Sequence, residues 1–193
     1  MDDSRVIEID DFISASTCEM IISMCESKDI PEDKMNLIEA ATGTVLASDR
    51  VHAFLKRQFK QTRLKFRDTN IHSVIDSAIT HHNTQEMTIL LNDLFTYVRY
   101  DDGGSMPKHT DDYKDTDATH TIIVYLNDAY TGGEVYIKEN DVETKIVPKI
   151  GKAIIFESNE IPNGCHVVNG TKKILIGTIA VINAVITSAS AAY

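Results

Sequence analysis

At 193 residues with 42% hydrophobic side chains, the chain is long enough to bury one sizeable core and reads as a single domain. A formal net charge of −10, with no Lys/Arg-rich block, argues against affinity drawn from nucleic-acid phosphates and leaves a peptide or small molecule as the expected partner. No apolar run approaches the roughly 18 residues of a membrane span, the N-terminal Met-Asp-Asp-Ser lacks signal-peptide character, and Cys18, Cys25 and Cys165 fit no zinc or redox spacing, so a cytoplasmic protein with reduced thiols is expected.

In chain order, Val6 to Ile9 alternates apolar and acidic residues as an opening strand does. Ser16 with Glu19 then makes a capping box for a helix whose stripe, Cys18, Ile21, Ile22 and Cys25, falls at helical spacing. Both cysteines are therefore expected in the core, and Pro31 ends the element. Val51, Phe54, Leu55 and Phe59 repeat the helical pattern, as do Ile71, Val74, Ile75 and Ala78, so residues 1–85 are predicted to be helix-rich.

From Met87 onward, apolar runs of strand length are separated by turn signals at Asp101-Asp102-Gly103-Gly104, Thr131-Gly132-Gly133, Lys149-Ile150-Gly151 and Asn169-Gly170. Helices followed by about seven or eight strands predict an α+β domain. Residues 86–183 form its β-sandwich or barrel core, the N-terminal helices pack on one outer face, and residues 184–193 form a short tail.

Chemistry concentrates in Pro107-Lys108-His109-Thr110-Asp111, between two strand-like runs. Residues two apart in an extended segment project to the same side, so an imidazole nitrogen of His109 and a carboxylate oxygen of Asp111 can reach one cation. One further histidine from a distant strand would complete a facial site with three open coordination positions. A lone His-x-Asp more often marks a solvated loop, and its context is what gives this one weight. Tyr100 precedes His109, and Tyr125-Leu126-Asn127-Asp128 leads into Tyr130-Thr131-Gly132-Gly133-Glu134.

Arg99-Tyr100, His109-Thr110-Asp111, Tyr125-Leu126-Asn127 and Gly132-Gly133-Glu134 match, in order and spacing, the prolyl 4-hydroxylase-like family of iron- and 2-oxoglutarate-dependent oxygenases, which the chain resembles. The run from Pro148 to Phe156 is similar to the family's strand ahead of its distal histidine, and Val6 to Cys25 to its opening strand and helix. The resemblance implies a double-stranded β-helix (jelly roll), Fe(II) and 2-oxoglutarate as cofactors with room for ascorbate, and His109 and Asp111 as iron ligands. It further implies Tyr100 and Tyr125 beside the cosubstrate and a lysine after Gly170 paired with its distal carboxylate. Lys172 is at the matching place. Lys173 is its rival, and because adjacent strand residues face opposite sides only one of the two can enter the pocket. A peptide substrate, most readily peptidyl proline, follows from the same resemblance.

The family's second iron-binding histidine has no clean match. Aligned without gaps it falls on Pro162, which cannot ligate iron, whereas His166 followed by Val168 resembles the family's His-x-Val but stands only six residues before Lys172. His166 is taken as the third ligand through a shortened hairpin; a degenerate site with two protein ligands is the alternative. Two other functions share the fold: a peptide-binding relic of an oxygenase, and an oxygenase for a nucleobase or small molecule. Cys165-His166 is no nucleophile–base dyad, since strand neighbours point apart, and Asp111, Asp112, Asp115 and Asp117 lack the glycine and terminal glutamate of a calcium loop.

Overall fold

The computed structural model describes residues 6–27, 37–39, 45–46, 57–83, 88–111, 117–139 and 142–182. Several expectations lie outside these residues: the helical pattern at Val51, Phe54 and Leu55, the stop at Pro31, Asp112 and Asp115, and the C-terminal tail.

The opening strand β1 (Val6–Ile9) and helix α1 (Ala15–Glu26) lie where the sequence puts them. The cap is Ser14 and not Ser16: the Ser14 hydroxyl accepts the Thr17 amide at 3.1 Å. Ser16 lies inside the first turn and the N3 position is Thr17, so Glu19 is two positions too far along to close a capping box. Two short strands follow, β2 (Leu37–Glu39) and β3 (Val45–Leu46). Next comes β4 (Gln61–Arg67), a strand within the stretch read as helix-rich. Its Leu64 and Phe66 are buried while Lys65 between them is exposed, a period of two that the neighbouring helical patterns obscured. Helix α2 (Thr69–His82) begins at Asp68, whose carboxylate accepts the amides of Asn70 and Ile71.

The remaining strands are β5 (Thr88–Leu91), β6 (Leu94–Tyr100), β7 (Met106–His109), β8 (His120–Tyr125), β9 (Thr131–Gly132), β10 (Val135–Glu139), β11 (Val142–Ile146), β12 (Ala153–Glu157), β13 (Asn163–Cys165), β14 (Val168–Asn169) and β15 (Lys172–Ile182). They form a large sheet ordered β1-β12-β8-β15-β6-β4-β2-β3, with β5 also on β15, and a small sheet ordered β11-β10-β13-β7; β14 pairs β9. All pairings are antiparallel except β2 with β4.

The large sheet is buried on both faces. Along β8, Ile122 and Val124 join one cluster and Ile123 and Tyr125 the other; along β12, Ala153 and Ile155 alternate in the same way with Ile154 and Phe156. Double burial explains why these strands read as unbroken apolar runs. One cluster draws Cys18, Ile21 and Cys25 from α1 and Ile71, Ile75 and Ile79 from α2. The other lies between the sheets, where Val98, Tyr100, Tyr125 and Ile174 of the large sheet meet Val135, Ile137, Ile146 and Cys165 of the small one. This is the jelly-roll interior, and the chemistry-bearing residues border it.

Candidate metal and cosubstrate site

His109 ends β7 and Asp111 follows two residues later, as the His-x-Asp spacing predicts. His109 Nδ1 lies 2.9 Å from the carbonyl oxygen of Pro107. A carbonyl can only accept, so Nδ1 carries the hydrogen and donates, which leaves the lone pair of a neutral ring on Nε2. That nitrogen faces Asp111 Oδ1 at 3.3 Å. Two electron-rich atoms so placed call for a positive charge between them, either a proton or a metal ion. The effect on His109 shows the conflict: burial works against its charged form, yet the Asp111 carboxylate and the Pro107 carbonyl outweigh burial and raise its pKa above the usual value.

Asp111 is held from behind. The Thr121 hydroxyl on β8 donates to Oδ2 at 2.8 Å and lies 3.0 Å from the Ser158 hydroxyl, while the Asp111 amide donates to the Ser158 carbonyl at 3.0 Å. This bracket leaves Oδ1 free to face His109, as supporting hydrogen bonds do at metal centres. The sequence reading missed Thr121 and Ser158, because two hydroxyls on separate strands carry no local signal.

The other end of the site is built around Lys172, the first residue of β15. Its register partner is Tyr100, so the two side chains share the inner face. Lys173 pairs with Arg99 on the outer face, where its ammonium meets Glu26 of α1 at 2.9 Å. Strand alternation thus separates the two lysines. Lys172 is fully buried, its Nζ donating to the Gly133 carbonyl at 2.7 Å and lying 3.2 Å from Cys165 Sγ, 5.3 Å from the Tyr100 ring centre and 5.4 Å from that of Tyr125. Among the described residues it has no carboxylate partner. Burial pushes its pKa below the ordinary lysine value, with Cys165 pulling the other way.

Gly133 makes this approach feasible. Its φ is +66°, and a Cβ there would lie 2.9 Å from the Val168 side chain and 3.4 Å from Lys172 Cδ. The Gly-Gly-Glu turn therefore places a backbone carbonyl where a side chain would block the ammonium.

Three phenols surround the lysine end. Burial raises the pKa of Tyr100, Tyr125 and Tyr130 alike, so each keeps its hydroxyl proton and can donate. The Tyr125 and Tyr130 hydroxyls are buried without a hydrogen-bond partner. For Tyr100, the positive charge of Arg63 on β4 works against that rise in pKa. Tyr130 and Arg63 are further residues the sequence reading passed over. Tyr130 precedes the Gly-Gly-Glu turn by two residues and could have been found from that position; Arg63 could not. A buried cation without a counter-ion beside orphaned hydroxyl donors fits a carboxylate ligand such as 2-oxoglutarate, because such groups are costly to leave unpaired.

His166 does not join this site. Its Nε2 pairs with Glu143 at 2.9 Å, its ring lies 4.7 Å from that of Tyr136, and among the described residues no three His, Cys, Asp or Glu side chains gather as a metal site. The reason is parity: Asn163 and Cys165 of β13 turn inward, so His166, next in line, turns out. His109 faces Asn163 across the β7–β13 pairing. The donor set that fits a divalent cation is thus His109 and Asp111, with no second histidine beside them among the described residues.

The model of the 2OG-Fe(II) oxygenase superfamily matches residues 95–179, which run from β6 to β15 and include both ends of the site. Among solved structures, the chain is similar to a prolyl-4-hydroxylase from Pseudomonas putida, at 14% identity over 94% of this chain and 95% of that one, with a TM-score of 0.61. It is also similar to a prolyl hydroxylase from Trichoplax adhaerens in complex with a hypoxia inducible factor oxygen degradation domain peptide fragment (16%, 92% and 84%, 0.66). A third similar structure is the viral collagen prolyl hydroxylase of Paramecium Bursaria Chlorella virus-1 (18%, 94% and 98%, 0.59). At such identities the likeness establishes the fold. Among curated proteins no sequence matches.

Proposed function

We propose that the chain, whose residues 95–179 match the 2OG-Fe(II) oxygenase superfamily, is a dioxygenase dependent on Fe(II) and 2-oxoglutarate that hydroxylates a peptidyl residue, proline first, at a centre held by His109 and Asp111. The observation that carries the site assignment is the fully buried Lys172 ammonium, which lacks a carboxylate partner among the described residues and lies between two tyrosine rings.

Each residue has a task in this reading. Lys172 pairs with the distal carboxylate of 2-oxoglutarate, held in place by the Gly133 carbonyl. Tyr125 and Tyr130 donate their otherwise unpartnered hydroxyls to the same ligand. Tyr100, set against Arg63, forms one wall. His109 Nε2 and Asp111 Oδ1 bind the metal, with Pro107 and Thr121 fixing their orientation. When bound, iron and 2-oxoglutarate supply, with dioxygen, the oxidant for a substrate C–H bond, releasing succinate and carbon dioxide. The apolar cluster between the sheets keeps water from the cosubstrate end.

The metal end is half-exposed, the His109 and Asp111 side chains retaining 31% and 18% of their surface, and this is where a substrate would approach. The peptide in the Trichoplax complex is the ground for preferring a peptide to a small molecule. The helices, whose buried residues share a cluster with one face of the large sheet, back the scaffold from outside. Three free cysteines suit a cytosolic setting, and no helix among the described residues is long and apolar enough to cross a membrane.

The test is succinate formation by the full chain with Fe(II), 2-oxoglutarate and ascorbate over a panel of proline-containing peptides, with product mass read for one added oxygen atom. The wild type should form succinate and His109→Ala should not, while melting as the wild type does. Equal succinate from both would remove His109 from the site.

A further inference from the structure

Resting on the reading of His109 and Asp111 as metal ligands, we propose that Asn163 supplies the third protein donor through its side-chain carbonyl, giving a centre of one imidazole, one carboxylate and one carboxamide. Asn163 opens β13 and is the register partner of His109 on β7. Side chains of residues directly opposed across an antiparallel pair lie on the same face, with Cβ atoms roughly 4.5–5.5 Å apart. The pairing shifts register before Cys165, which faces Met106: three steps along β7 match two along β13. Pro107 and Lys108 absorb the extra residue, so that His109 and Met106 both meet inward-facing positions of β13.

Asn163 is 5% exposed, and one end of its amide has no hydrogen-bond partner. A buried amide left unsatisfied is an expense that folded proteins avoid unless the group has another use. The two ends of a carboxamide are nearly the same shape, so rotation by half a turn exchanges the Nδ2 donor for the Oδ1 acceptor without new space. With the oxygen at the unpartnered end, the residue is an oxygen donor opposite His109.

None of its neighbours can replace it. Pro162 has no donor side chain. Gly164 has no side chain at all, and a Cβ there would collide with the Tyr136 ring. Cys165 is engaged with the Lys172 ammonium, and His166 with Glu143. The departure from a two-histidine site therefore does not leave the third position empty; it fills it with a weaker, harder donor.

Anaerobic titration of the full chain with Mn(II) in the presence of 2-oxoglutarate, followed by the EPR signal of free Mn(II), tests this. Asn163→Leu should weaken Mn(II) binding on the order of tenfold, with the metal-free protein melting no lower than the wild type. Asn163→Asp should bind Mn(II) at least as well as the wild type, and Asn163→His more tightly. With Co(II) in place of Mn(II), the wild type should show one strongly shifted exchangeable imidazole N–H resonance by NMR, and Asn163→His two. Two such resonances in the wild type, or Mn(II) binding unaltered in both Asn163→Leu and Asn163→His, would overturn the proposal while leaving His109 and Asp111 in place. Mn(II) binding unaltered in His109→Ala would instead remove the site itself, and this proposal with it.

Discussion

The two ends of the site are built on opposite principles. At the proposed metal end, His109 and Asp111 are part-exposed and already braced by hydrogen bonds with Pro107 and Thr121. At the proposed cosubstrate end, Lys172 and Tyr125 are buried, the Tyr125 and Tyr130 hydroxyls have no hydrogen-bond partner, and the Lys172 ammonium has no carboxylate beside it among the described residues. One end is organised before its ligand arrives and open to a second one; the other remains electrostatically incomplete until a carboxylate fills it. Preorganisation suits a centre that must also admit a substrate, and an unpaired buried cation suits a cosubstrate that enters a closed pocket. The strand β13 connects the two, since Asn163 faces His109 and Cys165, two residues on, lies against Lys172.

The sharpest break in this comparison comes from Lys172→Ala. Loss of the desolvated cation should weaken 2-oxoglutarate binding by about 2–4 kcal/mol, as isothermal titration in the presence of Mn(II) would measure, and leave metal binding without cosubstrate much as it was. An equal loss from Lys173→Ala would place the pocket on the wrong side of β15. At the metal end, Thr121→Ala removes the brace on Asp111 and should lower metal affinity by roughly 10–100-fold, with little change in cosubstrate affinity for the metal-loaded protein. If 2-oxoglutarate affinity falls and metal affinity does not, the two ends are not separately organised.

Proton linkage gives a subtler test. Burial lowers the pKa of Lys172, so above that value the folded protein holds fewer protons than the unfolded chain, and the stability of the ligand-free protein should rise with pH from the lowered value towards about 10.4. A bound carboxylate favours the ammonium, so binding should take up a proton in the same window and weaken with rising pH by up to about tenfold per unit. Titrations in buffers of different ionisation enthalpy would read that proton. No uptake at any pH up to the ordinary lysine value would mean that Lys172 stays charged in the empty pocket. The smallest effect belongs to the outer lysine: Lys173→Ala breaks its pair with Glu26 and should cost no more than about 1 kcal/mol in denaturant unfolding.

Placements local in sequence were legible, because strand alternation converts spacing directly into geometry: His-x-Asp brings the His109 and Asp111 side chains together on one side, and Lys172 and Lys173 must face apart. The residue facing His109 was not legible. An ungapped alignment points to Pro162 and the nearest histidine is His166, yet the residue opposite His109 is Asn163, and only the irregular pairing of β7 with β13 establishes that. The strand β4 was lost for a similar reason, its short alternation lying between helical patterns and becoming decisive only when β6 pairs with it.

By itself, the order of residues determined an α+β chain, its apolar runs, its glycine turns and the proximity of one imidazole–carboxylate pair. Each of these depends on neighbours in the chain, through helical spacing, strand alternation or backbone freedom at glycine. Tertiary structure alone decided which side of β15 meets Tyr100, which hydroxyls brace Asp111, and which side chain faces His109. Those are facts of register between strands far apart in sequence, and one residue of slip would exchange every inward side chain for its outward neighbour.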